Sequence, residues 1–160
     1  MTSTSQVDFE DLLPELSSAA RLESIELLSL SCERERRLPR SRPIELEQSV
    51  DASIIEQTNS GILEVAVSMD LAGRVRKGKL KDRVRDVMEV KALFLLRYSI
   101  ASEKQFAPEV LEAFAGLNAP LHCWPYWREL VHSMASRMGL PGLIIPLLAV
   151  KDLLVEADGE

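Results

Sequence analysis

The sequence predicts an α+β domain, a four-stranded antiparallel sheet followed by a long helix and a short C-terminal helix. Three observations carry this. Apolar and polar residues alternate over the stretches 44–54, 63–71 and 88–100, the period of a half-buried strand. Asn59-Ser60-Gly61 stands between the first two stretches, and Asn and Gly tolerate the positive φ of a tight turn. Beyond the strands the period changes: Cys123, Trp127, Leu130, Val131, Met134 and Met138 recur at helical spacing.

The 160 residues suit one domain. A chain of this size buries roughly 68–70% of its unfolded surface, enough for a core without cross-links. The division read from the sequence is an N-terminal segment 1–21, a main domain 22–155 and an acidic tail 156–160. Cys32 and Cys123 show no metal-ligand spacing and read as free, buried thiols of a reducing compartment before they read as a disulfide. No apolar signal core follows Met1, and no run of about 18 apolar residues exists, so the expected location is the cytoplasm.

Residues 1–7 are polar. Phe9, Leu12, Leu13, Leu16, Ala19 and Ala20 recur at helical spacing, so 9–21 reads as a short amphipathic helix that Pro14 starts or kinks. The first strand, 22–33, changes phase. Ile25 and Leu27 point one way; Leu28, Leu30 and Cys32 point the other. Three readings stand: burial on both faces, a bulge, or one face on the core and the other on a partner subunit. Residues 33–43 form a loop with two prolines and five arginines against two glutamates. Leu38 is the apolar exception within it.

The second strand starts at Ile44, with Gln48 the one mismatch in its alternation, and the third carries Leu63, Val65, Val67, Met69 and Leu71. Residues 74–85 hold seven basic residues against Asp82, a local charge of +6 in a chain of net −6. This stretch reads as an extended hairpin tip. The fourth strand, Met88 to Ile100, is apolar at seven successive even positions, and Leu93 and Leu95 on its second face need cover. A short helix is expected over 108–115, then a main helix capped by Asn118 with Pro120 in its first turn. Gly139 and Pro141 stop it. A last helix is expected over 147–155.

Catalytic groups are not recognisable. His122 and Cys123 are neighbours on a helix and do not face each other. His132 lies nearly three turns from His122, too far to share a metal. The carboxylates form no acid/base pair, and no phosphate loop is present. The reading is a protein that is not an enzyme and needs no metal or cofactor. Trp124, Tyr126 and Trp127 place three of the eight aromatic residues within four positions. Aromatics at this spacing read as core or subunit interface before they read as a ligand box.

Pro125, Tyr126, Arg128 and Glu129, followed by Ser133-Met134, Ser136-Arg137 and Pro141, resemble the main-helix motif of the SecB family of export chaperones. The order of elements over about 22–155 also agrees. The form Trp124-Pro125-Tyr126-Trp127-Arg128-Glu129 is closer to the divergent SecB-like branch, some members of which serve toxin–antitoxin systems. The resemblance implies an ATP-independent holdase that keeps non-native polypeptides unfolded for export or assembly. It implies a homotetramer, a dimer of dimers. Its partners would be non-native clients, with the export ATPase or a toxin–antitoxin protein beside them, and no membrane. The client groove it implies combines Leu38 and Ile44 with Leu140, Leu143, Ile144, Ile145, Leu147, Leu148 and Leu154. Leu28, Leu30, Trp124, Trp127 and Val131 are the expected oligomer contacts.

Two departures accompany it. The first loop is arginine-rich and lacks aromatics, and the tail 156–160 lacks the basic or zinc-docking character that serves the export ATPase. The alternative reading is a nucleic-acid-associated module acting through the basic 74–85 hairpin. The acidic remainder of the chain weighs against it.

Overall fold

A helix and a strand open the chain without a loop between them: α1 (Ser5–Ala19) runs directly into β1 (Ala20–Arg34). The structure, a computed structural model, describes residues 5–38, 43–76, 84–101, 103, 105–140 and 143–148. Strands β2 (Glu45–Gln57), β3 (Ile62–Arg76) and β4 (Val84–Ile100) follow, then the helix α2 (Pro108–Arg137). All strand pairs are antiparallel, in the order β1-β4-β3-β2. Helix α2 lies over β2, β3 and β4, and α1 packs against α2 and β1.

The alternation of β3 and β4 dictates which face is covered. Val65, Val67, Met69 and Leu71 on β3 are buried together with Val90, Phe94, Leu96 and Tyr98 on β4. Tyr98 meets Phe114 of α2 edge-on at 5.1 Å. The other face carries cross-strand ion pairs: Arg97–Glu64, Arg76–Glu45, and Arg74 with both Glu47 and Asp86. Exposed pairs of this kind add little stability, because water and salt screen them. Leu93 and Leu95 turn to this side and are half-buried.

The phase change in β1 is a bulge. Leu27 pairs with Phe94 and Ser29 with Leu93, which leaves Leu28 as the extra residue. The bulge resets the alternation. Ile25, Leu27, Leu30 and Cys32 therefore lie opposite Leu96, Phe94, Ala92 and Val90, on the same side of the sheet as those residues, and Leu27 and Leu30 stay exposed there because α2 lies over β2, β3 and β4. A similar irregularity between Ile54 and Glu56 leaves Ile55 exposed on β2.

Three expectations are corrected. Pro14 sits inside α1, which begins at Ser5 instead of residue 9. Strand β1 begins at Ala20. The helices expected at 108–115 and from Asn118 are one 30-residue helix. Pro120 and Pro125 each remove one backbone donor within it. Burial outweighs that loss, because Leu111, Phe114, Ala115, Ala119, Cys123, Trp127 and Val131 form one continuous buried stripe across the prolines. Asn118 is thus a mid-helix residue, and its amide donates to Ser17 Oγ at 3.4 Å. The hairpin arms pair out to Arg76 and Val84. Of the helix expected over 147–155, Leu147 and Leu148 are non-helical; its remainder, the tip 77–83 and the tail 156–160 lie outside the described residues.

Candidate functional site

Helix α2 ends as its sequence dictates. Gly139 has φ +75°, a conformation that costs a glycine little. Its N–H donates to the Ser136 carbonyl at 3.1 Å, and the Leu140 N–H donates to the Ala135 carbonyl at 2.8 Å. These two bonds form a Schellman stop, which satisfies carbonyls the helix leaves open. The chain then turns back.

Residues 143–148 are non-helical and return along α2 as a strap. Two α2 side chains hold it. Trp124 Nε1 donates to the Pro146 carbonyl at 3.1 Å, and Arg128 Nε donates to the Ile145 carbonyl at 3.0 Å. Trp124 and Arg128 are four apart, so they stand on one helix face. The strap's side chains divide accordingly. Ile145 is 3% exposed and belongs to the core, whereas Ile144 and Leu147 are 67% and 75% exposed. Leu140, Leu143 and Leu148 are half-buried and pack against the same core.

Leu38, within the arginine-rich loop, and Ile44, just after it, are also half-buried against that core. Gly73 lies beneath Ile44. A Cβ placed there would stand 2.9 Å from Ile44 Cγ2 and 2.3 Å from Met88 Cγ, so the glycine makes room for both. Leu154 lies outside the described residues.

The residues expected at an oligomer contact separate into two groups. Trp124, Trp127 and Val131 are buried inside this chain's own core, so their side chains offer no surface to a second subunit. The reason is that α2 turns its tryptophan face toward its own sheet. Leu28 and Leu30 are exposed on β1, with Leu27 beside them. Strand β1 ends the sheet, so among the described residues one side of its backbone carries no neighbouring strand.

Tyr98 of β4 and His122 and Cys123 of α2 are each shifted toward their neutral forms by burial. Tyr98 Oη lies 2.9 Å from His122 Nδ1. Desolvation pushes the Tyr98 hydroxyl up and lowers the His122 ring below the ordinary histidine value. A neutral imidazole accepting from a tyrosine hydroxyl satisfies both shifts. Burial pushes the Cys123 thiol up to about 12, so at neutral pH it is a packed thiol and not a thiolate. Among the described residues no group of three His, Cys, Asp or Glu is placed to hold a metal.

In the basic stretch, Arg74, Arg76 and Arg85 are paired with Glu47 and Asp86, Glu45, and Glu35. Lys77, Lys79, Lys81 and Arg83 lie outside the described residues. No described helix is long and apolar enough to cross a membrane.

Sequence reasoning missed the roles of Trp124 and Arg128 toward the strap. Periodicity reports which face of a helix is apolar, and it does not report which side chains reach a later segment. Leu46 and Ile55, exposed on β2, were also beyond it.

No protein-family model matches the sequence, and no curated protein matches it. Among solved structures, the chain is similar to the Mycobacterium tuberculosis Rv1957 SecB-like chaperone in complex with a ChAD peptide from the Rv1956 HigA1 antitoxin. The identity is 20%, the TM-score is 0.73, and the match covers 87% of this chain and 97% of that one. A protein of unknown function from Streptococcus agalactiae matches at 10% identity and TM-score 0.47, covering 80% of this chain and 97% of that one. The motif around Pro125–Glu129 and the arrangement of four strands and α2 meet in one architecture: this chain has the SecB-like fold.

Proposed function

We propose that this chain is an ATP-independent holdase that binds extended, non-native polypeptides through the apolar surface around the strap. The observation that carries this reading is the pair Ile144 and Leu147, two large aliphatic side chains on a pinned segment, both more than two-thirds exposed. Exposed apolar surface is costly in water unless something uses it. Each aliphatic side chain buried by a client contributes roughly 1.5–3 kcal/mol. A few such anchors offset the roughly 2–5 kcal/mol or more spent in ordering a flexible chain.

Half-buried Leu38, Ile44, Leu140, Leu143 and Leu148 extend the surface, and Ile145 supports it from the core. The similar mycobacterial chaperone was solved with a peptide from an antitoxin, which favours a dedicated antitoxin client over general export. The working form is an oligomer, a homotetramer of paired dimers, joined through the β1 edge with Leu28 and Leu30. Its place is the cytoplasm, where clients are still unfolded. The paired Arg74, Arg76 and Arg85 speak against a nucleic-acid role for the hairpin.

The test is aggregation of a chemically denatured protein diluted into buffer. Stoichiometric amounts of this chain should suppress the scattering without ATP, and added ATP should change nothing. Aggregation that proceeds unhindered at a severalfold excess of the chain contradicts the reading.

A further inference from the structure

We infer that Trp124 and Arg128 are positioning residues for the client surface: together they clamp the strap so that Ile144 and Leu147 face outward as fixed anchors. The inference rests on the holdase reading above and specifies how its surface is built.

The strap has little else to hold it in place. Within 143–148, the described residues show no backbone–backbone hydrogen bond. Its fixed points are the buried side chain of Ile145, the half-buried Leu143 and Leu148 packed against the same core, and the two carbonyls taken by α2. Those carbonyls are consecutive, Ile145 and Pro146, and their donors are one helical turn apart. This spacing sets both the position of the strap along α2 and its rotation about its own axis. With Ile145 turned into the core, Ile144 and Leu147 turn to solvent. Pro146 fixes its own φ and removes a donor, which stiffens the segment between the two anchors.

The two donors differ in kind. Arg128 carries a full charge, so its bond to the carbonyl is the stronger. Trp124 also packs its ring in the core, so only its N–H belongs to the clamp. A client that meets a strap already in place loses less ordering free energy than one that must order it. The clamp therefore acts on affinity without touching the client.

The variants are Trp124→Phe, which removes the indole N–H and keeps an aromatic ring, Arg128→Ala, and Arg128→Lys, which keeps a charged donor. Two quantities are read on the full chain. One is amide hydrogen exchange of 143–148 against that of β3 and β4. The other is the affinity for a fluorescently labelled, reduced and alkylated globular protein, which stays unfolded. Trp124→Phe and Arg128→Ala should speed exchange in the strap while β3 and β4 keep their protection. They should weaken client binding about tenfold, since each net hydrogen bond shifts an equilibrium by roughly that factor or less. Arg128→Lys should recover part of the affinity.

Wild-type binding with undiminished affinity in both Trp124→Phe and Arg128→Ala overturns the inference and leaves the holdase reading standing. Loss of protection in β3 and β4 alongside the strap also overturns it, because the two residues would then serve the fold as a whole. A wild-type chain that does not bind the unfolded probe overturns the holdase reading, and the client role of the clamp with it.

Discussion

The hydroxyl of Tyr98 on β4 and Nδ1 of His122 on α2 lie 2.9 Å apart, a polar bond between sheet and helix beside the Phe114 ring. Its pH dependence has a definite sign. The His122 pKa is lowered in the folded chain by desolvation, so the unfolded chain binds the proton more readily. Stability is then full above the ordinary histidine value of about 6.5 and falls as pH drops through it. Urea midpoints between pH 7.5 and 5.5 should decline for the wild type. His122→Asn keeps an acceptor near the position of Nδ1 and cannot titrate, so its decline over that window should be smaller. Parallel curves for the two proteins would remove His122 from the account.

Gly61 closes the turn between β2 and β3 with φ +80°. Its carbonyl accepts from the Ile100 N–H at 2.7 Å, and a Cβ would stand 2.8 Å from the Ile100 carbonyl oxygen. Gly61→Ala adds left-handed strain of roughly 1–2 kcal/mol to a clash with backbone. Denaturant unfolding should show a loss of about 2 kcal/mol or more. A change of only a few tenths would mean that the turn relaxes freely.

The bulge at Leu28 shows what was legible in the sequence and what was not. The phase change at Leu27–Leu28 was visible in the pattern of apolar residues, and the structure resolves it as one extra residue that brings both phases to the same side of the sheet. Four strands, their order along the chain, the Asn59-Ser60-Gly61 turn and the Gly139 stop were legible because each rests on local chemistry. The unity of α2 was not. Asn118 and Pro120 read as a helix start when taken locally, and only the buried stripe from Leu111 to Val131 keeps the helix continuous. For the site, the apolar run after Gly139 marked the right segment, while Ile145 could not be told from Ile144. That distinction depends on Arg128 and Trp124, 17 and 22 residues away from their carbonyl partners.

Strand β1 supplies the test of assembly. Leu28 is 50% exposed and Leu30 37%, next to a strand edge that no described strand pairs with. Light scattering at micromolar concentration should give a tetramer for the wild type. Leu28→Glu with Leu30→Glu should move the mass toward smaller species while circular dichroism stays unchanged. A wild-type monomer, or an unaltered mass in the double variant, would contradict the β1 contact.

The exposure of Ile144 and Leu147 permits the most direct test of client binding. Substituting them perturbs the fold little, since surface changes are usually worth within about 0.5 kcal/mol. The measurement is the dissociation constant of a permanently unfolded, labelled polypeptide for the wild type and for Ile144→Asp with Leu147→Asp, at equal protomer concentration. The account predicts that the double variant keeps its oligomer mass and melting temperature and binds at least about tenfold more weakly, the loss expected when even one aliphatic anchor is removed. Equal dissociation constants for the two proteins would contradict the assignment of the strap as the client surface.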